Sequence, residues 1–164
     1  MEETSNLTIS ISAFKGSNIE KSFYNPTIIE KAVEEQQYAD VIYMHHMGVL
    51  MLRRSKEDSF EPNKLCLPGG KIDPGETPKF AAIREMLEET GLDIEGEMIV
   101  ATSKIGPCNY FLSFCSEKDP IIILDEDEHY QYVWMSHNDI VKEPAESFIL
   151  NLKKRLCEML HIQS

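Results

Sequence analysis

No CxxC pair occurs in this chain. Cys66, Cys108, Cys115 and Cys157 are scattered, which argues against a structural zinc site and fits reduced thiols in an intracellular compartment. Nor is there an apolar run near the ~18 residues that mark a bilayer-spanning helix. Residues 1–14, MEETSNLTISISAF, have neither a basic start nor a sustained hydrophobic segment. The expectation is a cytoplasmic chain with no membrane partner, in which the Asn6-Leu7-Thr8 glycosylation triplet carries no weight. Basic side chains are also scarce. The 16 Lys and Arg against 28 Asp and Glu leave a net charge of -12, which argues against a nucleic-acid polymer as partner, since gripping its backbone takes many cationic contacts. A small phosphorylated substrate stays open, because a divalent cation inverts the field of a carboxylate-rich pocket.

What remains is ordinary globular material: 164 residues, 42% apolar and 27% charged, enough for one domain with one core. Residues 1–38 read as an N-terminal extension packing on the domain or on a partner, with a short strand through Leu7, Ile9 and Ile11 and an amphipathic helix over 26–37. Residues 39–164 form the domain proper. A strand region rich in β-branched and long apolar residues covers 40–54; it contains His45 and His46, read as structural, and ends on Arg53 and Arg54, where a substrate phosphate and plain solvent are equally good partners. Further strands are expected within 92–103 and at 110–115, 121–124 and 130–135, and a helical tail from Pro144 places Phe148, Ile149, Leu152, Leu156, Met159 and Leu160 on one face. Strands bracketed by helices make this an α/β layered domain.

The chemistry concentrates in residues 70–92, GKIDPGETPKFAAIREMLEETGL. Pro68-Gly69-Gly70 and Pro74-Gly75 shape a tight loop, Thr77 is a fair N-cap, Pro78 suits the first helical position, and Gly91 is a natural stop. The resulting helix puts Glu85, Glu88 and Glu89 within about 100° of arc, with Phe80, Ile83 and Leu87 pointing nearly the opposite way, free to be buried. Three acids on one face are compatible with a solvated surface. They are equally compatible with a site for a hard divalent ion, whose oxygen shell the glycine-loop carbonyls would complete for phosphate chemistry. Arg84 is placed to orient one of these carboxylates by a charge-assisted hydrogen bond.

The pattern resembles the Nudix hydrolase signature of MutT-like proteins. Gly70, Glu76, Arg84, Glu85, Met86, Glu88, Glu89, Gly91 and Leu92 occupy its fixed and aliphatic positions without a departure. The resemblance implies an α/β/α sandwich around a mixed β-sheet, and hydrolysis of a nucleoside diphosphate linked to another group with Mg²⁺ or Mn²⁺. It also implies that Glu85, Glu88 and Glu89 bind metal, with a carbonyl from Gly69 or Gly70, while Glu76 and Arg84 support the geometry. Members often add a carboxylate shortly before a Trp-containing strand. In EDEHYQYVWM, Glu128 fits that position as metal ligand or base, Glu126 is the fallback, and His129 is a weaker second candidate for supporting the site or contacting substrate.

Specificity is open in the sequence. Tyr110, Phe111, Phe114, Tyr130, Tyr132 and Trp134 are available to stack on a base, although strand aromatics are usually core. A nucleoside triphosphate cut to its monophosphate and pyrophosphate is the leading expectation. A nucleotide-sugar or ADP-ribose pyrophosphatase, or a nucleotide-binding regulator without turnover, is the alternative. A homodimer is compatible with a domain of this size.

Overall fold

A computed structural model describes residues 35–95 and 99–163. Seven strands form one mixed sheet: β1 (Tyr38–His45), β2 (Gly48–Arg54), β3 (Leu65–Cys66), β4 (Gly69–Lys71), β5 (Ile99–Ile105), β6 (Cys108–Phe114) and β7 (His129–Met135). Helices α1 (Pro78–Thr90), α2 (His137–Lys142) and α3 (Leu152–Met159) cover it. β1 is its axis. It pairs in parallel with β6 from Tyr38 to Met44, while its other edge is shared between antiparallel β4 at residues 38–40 and antiparallel β2 at residues 44–45.

Both faces of β1 and β2 are covered, which explains why these strands read as near-continuous apolar runs. Ala39, Val41, Tyr43, Leu50 and Leu52 face Ala81, Ala82 and Met86 of α1. The alternate residues Ile42, Val49 and Met51 face Ile140 of α2 and Leu152 and Leu156 of α3. Two cores on opposite sides of one mixed sheet make the expected α/β/α sandwich.

α1 begins as predicted, with the Phe80 amide donating to the Thr77 hydroxyl, and ends on Gly91, whose amide donates to the Leu87 carbonyl at 2.9 Å. Its buried face differs from the prediction. Ala81, Ala82 and Met86 go inward, whereas Phe80 and Leu87 are exposed and Ile83 is only half-buried. Small alanines let the helix lie close to the sheet. The buried stripe through 81, 82, 86 and 89 also includes Glu89, so the acid face borders the core instead of opposing it.

Other expected elements are redrawn. The strand region at 40–54 is two strands folded at His46-Met47. Residues 121–124 form no strand: the Ile123 and Asp125 amides instead donate to the Thr90 and Glu89 carbonyls, satisfying the C-terminal end of α1. The tail from Pro144 is a 3₁₀ turn at Ala145–Ser147 followed by α3, interrupted by Asn151 at φ 63°. α2, capped by Ser136 and Asp139 bonding each other's amides, is an additional helix. The predicted strand at 7–11 and helix through 26–34 lie outside the described residues, and residues 35–37 are not helical.

The β1–β2 turn depends on Gly48, at φ 133°, where an added Cβ would lie 2.2 Å from the Met135 carbonyl oxygen. Gly48→Ala combines strained backbone with a clash against β7. Urea unfolding is expected to show a loss of roughly 1–3 kcal/mol or more.

Candidate active site

β4 and α1 meet over the start of β1. Gly69 pairs with Asp40 and Gly70 with Ala39, which holds the glycine strand against the helix. The carboxyl group of Glu85 occupies the space beside Gly70: a Cβ there would come within 2.5 Å of Glu85 Oε1. Only glycine allows that approach. The Gly69 amide donates to Glu89 Oε2 at 2.8 Å.

Arg84 gathers the neighbouring acids. Its Nε and Nη2 donate to the two Glu76 oxygens at 2.9 and 3.0 Å, a bidentate pair, and Nη1 donates to Glu85 Oε1 at 2.8 Å and Glu88 Oε2 at 3.0 Å. Nη2 also donates to the Lys71 carbonyl at 3.1 Å, and Glu76 Oε2 accepts from the Asp73 amide. These contacts tie loop 71–76 to the helix.

Glu89 stands apart from that fork. It is buried, and its Oε1 lies 3.7 Å from Nδ1 of the equally buried His129. Glu128, exposed, completes a group whose ligand atoms lie within 4.8 Å of one another. Of the predicted site residues, Glu89 and Glu128 are thus brought together, and Glu85 and Glu88 converge with Glu76 on Arg84. Glu126 is not part of the three-residue group. Gly69 enters through its N–H and Gly70 through its missing side chain.

Burial pushes Glu89 well above the usual carboxylate range against the pull of the Gly69 amide, and the charges of Glu85, Glu128 and Asp40 add to the push. Burial also raises Glu85, opposed by its Arg84 hydrogen bond, whereas Arg84 holds Glu76 below its ordinary value. Asp40 has no motif around it in the sequence. Burial pushes it up to about 7 against the pull of Arg155, and the Glu85 charge adds to the push. Burial and the Arg54 charge lower His129 to about 4, leaving its imidazole neutral near pH 7.

The other candidates have local partners. Arg54 pairs with Asp58 and the Phe60 carbonyl, and Arg53 bonds Gln131 and the Asn63 carbonyl. His45 Nε2 lies 3.1 Å from the Glu117 and Lys118 carbonyls, in line with a structural role. Tyr110 and Phe111 are core, Trp134 packs on Tyr43 and His45, and Phe114, Tyr130 and Tyr132 are exposed.

The donor set fits a divalent cation. Carboxylates crowded at a site that resists their ionisation, next to a buried imidazole nitrogen with no hydrogen-bond partner, are groups a cation would satisfy together.

Fold and site together define an α/β/α protein in which a glycine strand and a carboxylate helix meet over one central strand. The chain belongs to the NUDIX domain family, whose model matches residues 36–156. The 8-oxo-dGTP diphosphatase of Escherichia coli is 38% identical over 60 residues, 37% of this chain and 46% of that protein, so the matched stretch spans less than half of that relative. Among solved structures, a MutT protein from Methanosarcina mazei superposes with a TM-score of 0.63 at 20% identity, covering 79% of this chain and 97% of that one. A Caenorhabditis elegans Ap4A hydrolase superposes with a TM-score of 0.57 at 25% identity, covering 76% and 98%. Members of the family generally use divalent metals. Among the described residues no helix is long and apolar enough to cross a membrane.

Asp40, Glu85 and Glu89 all hold their protons more tightly folded than unfolded. As pH rises from about 4, where unfolded carboxyls ionise, through about 7, where Asp40 does, the unfolded state loses protons first and metal-free stability falls. Melting in chelator is expected to show Asp40→Asn gaining Tm over wild type between about pH 5 and pH 8, with Mn²⁺ raising the wild-type Tm more at the higher pH. A pH-independent difference would contradict the assignment.

Proposed function

We propose that this chain hydrolyses a pyrophosphate bond in a small nucleoside diphosphate-linked molecule, with a nucleoside triphosphate yielding its monophosphate and pyrophosphate as the leading substrate. Glu89 carries the reading: a buried carboxylate, fixed by the Gly69 amide through one oxygen, turns the other toward His129 in a group that includes Glu128. Glu85, Glu88, Glu89 and Glu128 are the acids proposed to hold Mg²⁺ or Mn²⁺, with a carbonyl from Gly69 or Gly70. Such an ion supplies charge neutralisation to the diphosphate and a lowered pKa to an attacking water.

The chain's own groups do the rest. Arg84 fixes Glu85 and Glu88 and, through Glu76, the loop beside them. A carboxylate oxygen of Glu89 or Glu128 accepts the water's proton. Residues 39–164 are the hydrolase in this reading, and 1–38 an added segment. The Escherichia coli relative is an 8-oxo-dGTP diphosphatase and the Caenorhabditis elegans neighbour an Ap4A hydrolase, which supports the substrate class.

Purified chain with Mg²⁺ or Mn²⁺ is expected to release monophosphate and pyrophosphate from at least one triphosphate in a nucleotide library. Glu89→Gln should lower kcat about 10³-fold with circular dichroism unchanged. Cleavage of no nucleotide would contradict the reading.

Arg84→Lys loses the planar fork. It is expected to cost roughly 1–2 kcal/mol in urea unfolding and to lower kcat more than it raises KM, because a lysine cannot hold Glu76, Glu85 and Glu88 together.

A further inference from the structure

His129 is 2% exposed, and its Nδ1 is the one buried side-chain nitrogen or oxygen without a hydrogen-bond partner among the described residues. Its other ring nitrogen is occupied: Nε2 lies 3.4 Å from Cys66 Sγ. Cys66 Sγ also lies 3.6 Å from the Leu52 carbonyl, an acceptor that only the thiol proton can serve; on that geometry we assign the ring proton to Nε2, with the sulfur as its acceptor. Nδ1 therefore presents a lone pair, and what faces it is a carboxylate oxygen, Glu89 Oε1, at 3.7 Å. In their metal-binding forms, carboxylate and neutral imidazole, two acceptors face each other with no donor between them. The separation is too long for a hydrogen bond, yet lies between the roughly 3 Å of adjacent and the roughly 4.2 Å of opposite ligands at ~2.1 Å from one octahedral ion. Glu128 offers a third ligand atom, within 4.8 Å of one on each of the other two residues.

We infer that Nδ1 of His129 is a nitrogen ligand, joining Glu89 and Glu128 in a mixed nitrogen and oxygen site that favours transition-series divalent ions such as Mn²⁺ over Mg²⁺. The inference rests on the hydrolase reading for the presence of a cation, and adds to it the identity of a ligand and a consequence for metal choice. Carboxylates alone suit Mg²⁺, whereas an imidazole adds more to the binding of a softer ion. The thiol contact supports this by holding the ring in one tautomer and one orientation, as partners of metal-bound histidines do. Cys66 is then a positioning residue, joined to Glu89 through the ring.

The test is pulsed electron paramagnetic resonance of the full chain loaded with one equivalent of Mn²⁺. The expected result is ¹⁴N modulation from a directly bound imidazole, lost in His129→Gln. By calorimetry the variant should weaken Mn²⁺ binding tenfold or more and Mg²⁺ binding less than threefold. Should His129→Gln fail to fold, wild-type protein labelled with ¹⁵N-histidine decides: a large shift of the His129 Nδ1 resonance with one equivalent of Zn²⁺ supports the ligand, and an unmoved resonance overturns it. Stoichiometric Mn²⁺ without nitrogen modulation, in a chain that still cleaves nucleotides, overturns the nitrogen ligand and leaves the hydrolase reading standing. Nitrogen-bound Mn²⁺ in a chain that cleaves no nucleotide supports the ligand and overturns the hydrolase reading.

Discussion

Carboxylates repel, and this site packs several of them against a buried strand. The Arg84 guanidinium makes that arrangement tenable. One planar cation spends its fork on Glu76 and its remaining N–H groups on Glu85, Glu88 and the Lys71 carbonyl, so the loop and the helix share a single fixed charge. Glu89 has no share in it. With the Gly69 amide opposing its burial, it is still held well above its ordinary range and has much to gain from a cation.

Packing sets up this asymmetry. α1 approaches the sheet through Ala81, Ala82 and Met86, and the helical period then carries Glu89 into the same buried stripe while Glu88 stays outside. The glycines of β4 complete the fit from the other side. Gly70 leaves room for the Glu85 carboxyl, and Gly69 supplies the amide. Small residues on both partners let charged groups come this close to a core.

Much of this was legible in the chain. The signature residues give the helix, its Thr77 and Gly91 ends and the acid set, because local spacing and capping chemistry determine them. The direction of the helix was not legible. Phe80 and Leu87 are larger and more apolar than Ala81 and Ala82, yet it is the small pair that packs on β1 and β2, an arrangement set by strands distant in sequence. Residues 121–124 look like a strand by composition but are engaged by the free carbonyls at the end of α1. Asp40 and the contact between His129 and Cys66 escaped for the same reason: they arise from pairing across the sheet, where no spacing rule reaches.

Glu89 and Glu128 are proposed to hold one cation between them. Anomalous diffraction from Mn²⁺-soaked crystals would locate that ion. The expected result is a peak within ~2.3 Å of a carboxylate oxygen of each residue. A fully occupied Mn²⁺ elsewhere, with Glu89 bound only to the Gly69 amide, would contradict it.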